Sequence, residues 1–306
     1  MSDDAIARPA ASHPVRGVLW MLLAGANFVA VTALVKYLGP RVPAAESAFL
    51  RYLLGLVFLI PVIRPLLRVR LSRRQLGLFG LRGAFHSLGV ALWFYAMTQI
   101  PIAEVTAMNY LSPVYVTIGA ALFLGEALAA RRIAAVVVAL VGAAIILRPG
   151  FREISPGHLA MLVTAVTFAG SYLLAKRMSG EVSAGIVVAM LSITVTIGLA
   201  PTAIMVWVTP TLFDLAILFL VAFFATAGHY AMTLAFASAP VTVTQPVSFL
   251  QLVWAVLLGW LVFGEGVDVW VVAGGGLIIA AVSFITWREA VLRRRHITPL
   301  VGATKS

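Results

Sequence analysis

Residues 101–126 read PIAEVTAMNYLSPVYVTIGAALFLGE, and residues 240–265 read PVTVTQPVSFLQLVWAVLLGWLVFGE. Laid over one another at an offset of 139 (265 − 126), Pro101 falls on Pro240 and the closing Gly125–Glu126 on Gly264–Glu265. Both stretches stay apolar for about twenty residues, the length that crosses a hydrocarbon core of ~30 Å as a helix. A greasy segment that opens and closes the same way twice marks an internal duplication.

The duplication extends outward. At an offset of 140, GVLWMLLAGANFVAVTALVKYL from Gly17 lies over GHLAMLVTAVTFAGSYLLAKRM from Gly157, matching Met21 to Met161, Phe28 to Phe168 and Lys36 to Lys176, and Pro61 likewise falls on Pro201. Of the 306 residues 62% are hydrophobic and 11% charged, with a mean hydropathy of +1.04, which no soluble domain would tolerate. Ten apolar stretches follow, at 16–38, 44–64, 76–98, 103–124, 131–148, 157–177, 184–207, 212–236, 241–263 and 268–288. The expected fold is therefore an all-α membrane protein of ten transmembrane helices. It divides into a tail (1–15), a five-helix repeat (16–148), a linker (149–156), a second five-helix repeat (157–288) and a basic tail (289–306). Five is odd, so the second copy enters the bilayer from the opposite side, the inverted arrangement of alternating-access carriers.

The net charge of +11 reads as topology rather than as affinity for nucleic acid, of which none is expected as a partner. Placing Arg8, Arg16, the Arg64–Arg74 cluster, Arg131, Arg132, Lys176, Arg177 and the Arg288–Lys305 tail on one side gathers 16 of the 22 basic residues there. The positive-inside rule then makes both termini cytoplasmic. The first fifteen residues carry no apolar core with a cleavage site, so the first span is expected to be retained. Cysteine is absent and the five histidines show no metal-ligand spacing. No catalytic constellation stands out, so neither an enzyme nor a cofactor or metal is expected. The expected partners are a small-molecule substrate and the lipid bilayer, the chain being a monomer or a homodimer.

Two five-span repeats, each closing its fourth span on Gly-Glu, resemble the drug/metabolite transporter superfamily and in particular its ten-span EamA-type members. Within it the chain looks most like the YddG-like amino-acid exporter branch. The resemblance implies an efflux carrier in a bacterial inner membrane, with a central cavity lined mainly by spans 1, 3, 4, 6, 8 and 9.

The residues themselves nominate the cavity wall. In the fourth span Thr106, Asn109 and Ser112 recur at threes, one side of a helix, and their partners at offset 139 are Gln245, Ser248 and Gln251. A polar stripe facing lipid is unfavourable, so it should face water or protein. The other reading is hydrogen-bonded packing between helices. His86 and His229 lie on matched faces of spans 3 and 8, followed by Trp93 and Tyr230. Asn27 and Ser171, with Tyr172, come from spans 1 and 6, and Trp254 from span 9. Aromatic rings there suit apolar or aromatic substrates, although Trp and Tyr also serve as interfacial anchors.

Four further expectations concern structure. Each Gly-Glu should end a helix with its Gly and cap the next span with its Glu. Arg82 should snorkel to headgroups. Arg51 should ion-pair with Glu46 or Glu104, or else clamp a substrate carboxylate. Ala135, Ala139 and Ala143, and Gly276 and Ala280, should form small-residue packing faces in spans 5 and 10. With no carboxylate placed at mid-depth, transport is expected to run down the substrate's gradient rather than by obligatory proton antiport. The leading reading is export of small organic metabolites, most of all aromatic or apolar amino acids. The alternatives are a carrier, or importer, of a flavin or nucleoside-like compound, and a non-transporting intramembrane enzyme or sensor.

Overall fold

A computed structural model describes residues 14–60, 66, 68–124, 130–151, 153–178, 181–239, 244 and 247–297. Gly125–Glu126, Pro61, Pro240 and the candidate Gln245 lie outside the described residues, as do 1–13 and 298–306 of the tails. Eleven α-helices are described: α1 (Pro14–Leu38), α2 (Ala44–Gly55), α3 (Arg73–Gln99), α4 (Ile102–Asn109), α5 (Leu111–Leu124), α6 (Ala130–Leu147), α7 (Pro156–Met178), α8 (Ala184–Met205), α9 (Leu212–Ser238), α10 (Leu250–Phe263) and α11 (Val269–Ile297). They make ten spans, because α4 and α5 share one. Val15–Arg41, Pro156–Ala175, Gly185–Met205, Leu212–Met232 and Val269–Arg288 are each long and apolar enough to cross a membrane alone.

The repeat is visible in the helix ends as well as in the sequence. Ser72 and Gln75 form a capping box at the start of α3, and Thr211 and Asp214, at the same offset of 139, form one at the start of α9. In each box a hydroxyl accepts from the third helical N–H while that residue's side chain reaches back, satisfying two donors that the helix start would leave bare. The ends match too, since Ile100 N–H bonds to Ala96 and Ala239 N–H to Ala235, both at 3.0 Å.

Packing is largely an exchange between the repeats. The first helix of each lies along the third of the other, α1 against α9 and α7 against α3, while α2 packs on α8, α6 on α11 and α4 on α10. In the last pair of spans the close approach is made by glycines that the sequence pattern did not single out. A Cβ built on Gly142 would stand 2.7 Å from the Gly274 carbonyl oxygen, so backbone meets backbone there. Gly276 and Ala280, expected at that contact, turn outward, whereas Ala135, Ala139 and Ala143 are buried. Which small residue meets the partner depends on helix rotation, and composition alone does not set it.

The fourth span, expected to be one continuous helix, is broken at Asn109–Tyr110. Pro113 has no N–H for the Asn109 carbonyl and its ring crowds that carbonyl, and Tyr110 N–H instead turns back to Ala107 at 3.3 Å. In the second repeat α10 begins after Phe249, which holds the place of Tyr110. The two rings meet edge-on at 5.1 Å, and Tyr110 Oη donates to the Ser248 carbonyl at 3.0 Å. The breaks of the two repeats thus face each other across the centre of the bundle, where discontinuous helices of carriers place their substrate sites.

Candidate functional site

Two phenylalanine–histidine pairs lie at the heart of the exchange between repeats. Phe28 of α1 meets His229 of α9 edge-on, with ring centroids 5.0 Å apart. Phe168 of α7, the partner of Phe28 by repeat, stacks on His86 of α3 at 4.9 Å. Each phenylalanine is seated on a glycine at offset 139. A Cβ on Gly228 would come within 3.2 Å of Phe28, and one on Gly89 within 2.6 Å of Phe168. The glycines therefore let a ring lie against backbone, and that ring holds the imidazole.

His86 joins three helices. Its Nδ1 pairs with Ser171 Oγ of α7 at 3.2 Å, and its Nε2 with Tyr52 Oη of α2 at 3.0 Å. Either tautomer is served, since both hydroxyls can donate or accept. Arg51 lies 4.0 Å over the Tyr52 ring, a cation–π contact. Arg82, one turn from His86, donates through Nη1 to the Val187 carbonyl of α8 at 2.9 Å. Both guanidinium groups are within electrostatic reach of His86 and of His229.

Two of the expectations are corrected here. Arg82 is 6% exposed and bonded inward, not snorkelled, because α8 offers a carbonyl within reach. Arg51 has no acid partner among the described residues: Glu46 accepts from Val208 N–H at 2.9 Å, and Glu104 pairs with His158. Both acids are drawn to the end of the bundle by groups distant in sequence.

Tyr172 and His229 keep accessible surface, Tyr172 beside Phe168 with ring centroids 6.1 Å apart and His229 beside Phe28. Asn27 is buried, its Nδ2 donating to Leu23 of its own helix at 2.7 Å, with its Cβ against Gly228. Thr106 and Ser112 are buried and Asn109 is half-buried. The break separates Thr106 and Asn109 from Ser112, so they are not one continuous stripe. Asn109 Oδ1 and Ser112 Oγ have no described partner. Ser248 and Gln251 are half-buried beside the second break, and Trp93 is half-buried against Phe94. Tyr230 and Trp254 are exposed, and neither has a described ring contact with the two pairs.

Phe28, Phe168, Tyr52, Arg51 and Arg82 complete the cluster beyond the sequence candidates. The Phe28–Phe168 match was a usable signal. Tyr52 gave none, since its contact with His86 spans 34 residues.

The remaining polar chemistry sits at the ends. Gly264, in the left-handed region at φ 65°, ends α10 as expected, but Glu265 does not cap the following span. Its Oε2 accepts from Ile102 N–H of α4 at 3.0 Å and it pairs with Lys36. The cap of α11 is Asp268, whose Oδ1 accepts from Trp270 N–H at 2.8 Å and which pairs with Arg148. Glu265 serves the other repeat because α4 packs against α10. A cleft lined by Pro101, Ala103, Glu104, Val256 and Glu265 opens at this end, away from the histidine pairs.

Comparison with known proteins agrees with this architecture. The sequence pattern of the EamA-like transporter family matches residues 15–148 and again 155–287. A protein named riboflavin transporter from Vibrio cholerae is 31% identical over 93% of this chain and 97% of its own. An S-adenosylmethionine uptake transporter from Rickettsia bellii is 28% identical, over 89% of this chain and 94% of that one. A pseudopaline exporter from Pseudomonas aeruginosa is 29% identical, over 87% and 94%. One solved crystal structure superposes with a TM-score of 0.59 over 93% of this chain and 98% of that chain at 19% identity, a likeness of fold.

Proposed function

The chain belongs to the EamA-like transporter family, and from that premise we propose that it carries a small aromatic metabolite of the flavin or nucleoside-like kind across the bacterial inner membrane by alternating access. The observation that carries this reading is the pair of phenylalanine–histidine contacts, beside which Tyr172 and His229 keep accessible surface. Flat rings on both sides suit a flat solute. The relatives named for riboflavin, S-adenosylmethionine and pseudopaline support a metabolite carrier. Amino-acid export finds no support in those names and gives way to the alternative. They include both uptake and export, so direction is taken to follow the substrate's own gradient.

The test is counterflow in proteoliposomes with riboflavin, adenosine and tryptophan as probes. Uptake of riboflavin or adenosine exceeding that of tryptophan supports the reading, and tryptophan as the best substrate overturns it. A pH gradient across the same vesicles checks the coupling: accumulation driven by the gradient, lost in a His86→Gln, His229→Gln variant, would replace facilitated movement with proton coupling. The basic loops support cytoplasmic termini. A cysteine at Ser72, in a chain with none of its own, should resist impermeant thiol reagents on intact cells, and ready labelling reverses the orientation.

A further inference from the structure

The cluster around His86 holds two permanent cations and, among the described residues, no paired anion. Arginine stays protonated in any protein environment, and an unpaired charge inside a bundle is costly unless something compensates it. Arg82 receives one carbonyl and Arg51 one ring face, and the Nε of each is buried without an acceptor. None of the ion pairs among the described residues includes either group. The described carboxylates with a base for partner lie at the two ends of the bundle. The surroundings of the two phenylalanine–histidine pairs are therefore positive as well as aromatic.

We infer that Arg51 and Arg82 make this carrier selective for aromatic solutes bearing an anionic group, a carboxylate or a phosphate, which their guanidinium groups receive beside the two phenylalanine–histidine pairs. The inference deepens the carrier reading and rests on it. The solute's rings lie against Phe28 and Phe168, and its anion offsets the two positive charges that no described carboxylate meets. The same arrangement disfavours a zwitterion. An α-ammonium group would enter a site with two cations nearby and, among the described residues, no carboxylate to meet it.

The experiment uses matched probes that differ in charge: riboflavin against riboflavin 5′-phosphate, and indole-3-acetamide against indole-3-acetate, with tryptophan as the zwitterion. Binding to the purified full chain is read as a shift in thermal unfolding, and transport as counterflow in proteoliposomes. The anionic member of each pair should bind at least about tenfold more tightly than the neutral one, the order expected for one charge-assisted hydrogen bond. That preference should weaken with added salt. Arg51 makes no hydrogen bond among the described residues, so Arg51→Gln is the decisive variant, and it should abolish the preference while Arg51→Lys retains part of it. Arg82→Gln also removes the bond to Val187, so it is read only where the protein still unfolds cooperatively. Equal binding of charged and neutral members, or a preference unchanged in Arg51→Gln, overturns the inference. Transport of the neutral members alone would leave the carrier standing and remove the charge selection. No transport of any probe would remove both.

Discussion

At one end of the bundle five carboxylates reach from one repeat to the other. Glu265 holds Lys36 and Ile102 N–H, Glu104 holds His158, Asp268 holds Arg148, Asp214 lies 3.8 Å from Arg41, and Glu46 holds Val208 N–H. At the opposite end, among the described residues, Glu181 alone does so, meeting Arg74 at 3.0 Å and Gln75 at 3.1 Å in an exposed position. The repeat gives both ends similar residues, since Glu126 and Lys176 hold the places of Glu265 and Lys36. Glu126 lies outside the described residues. A duplicated chain thus carries the residues of one latch at both ends, and a carrier that opens its ends alternately would fasten them one at a time.

The largest expected effect comes from cutting the pair between Glu265 and Lys36. Glu265→Ala leaves Lys36 partly buried without its anion, and should lower the stability of the purified protein by about 3 kcal/mol, the cost of orphaning one partner of a buried pair. A cysteine placed at Ala103, on the neighbouring cleft, should then label faster, whereas Glu126→Gln should slow it. If both substitutions move labelling the same way, the two ends are not alternatives of one latch.

Next is Glu104→Ala. Ser155 N–H donates to His158 Nδ1 at 3.1 Å, so Nε2 carries the proton given to Glu104, and losing that acceptor strands a buried donor. About 2 kcal/mol should be lost, measured by denaturation in detergent. An unchanged midpoint would mean that water replaces the carboxylate. Tyr110→Phe, at the centre and belonging to neither end, removes the bond to Ser248 but keeps the ring contact with Phe249, and about 1 kcal/mol is expected.

Glu181→Gln should have the smallest effect at neutral pH, being an exposed contact. Hydrogen bonds from Gln75 and Arg74 hold the Glu181 carboxyl below its ordinary value of 4.5. Its contribution is therefore present above that value and lost as pH falls through the lowered one. The difference between wild type and variant should shrink on acidification. A difference that grows instead would reverse the assigned sign.

Much of this was legible in one dimension. The offset of 139 shared by Gly125–Glu126 and Gly264–Glu265 located the repeat, and the same offset relates the capping boxes at Ser72 and Thr211. His86, Ser171, Asn27 and His229 were named from helical faces. Arg82 and Glu265 were misread, because each takes a partner set by packing, and the ion pair expected of Arg51 is not formed because Glu46 and Glu104 bond elsewhere. Val187 lies 105 residues from Arg82, and Ile102 lies 163 from Glu265. Pro113 did signal a helix break, but the span length around it read as continuous.

By itself the sequence determined that the chain lives in a bilayer, that it makes ten spans in two inverted halves, and which helix faces carry polar and aromatic groups. These follow from hydropathy, periodicity and self-similarity, which are properties of neighbours along the chain. The tertiary structure decided which ring holds which histidine, where two arginines lie without an acid among the described residues, and which partners Glu265, Glu104 and Glu46 take. Such partners come from different repeats, and their meeting depends on how each helix is rotated against the other. Backbone approach at Gly89 and Gly228 sets that rotation, and no local pattern encodes it.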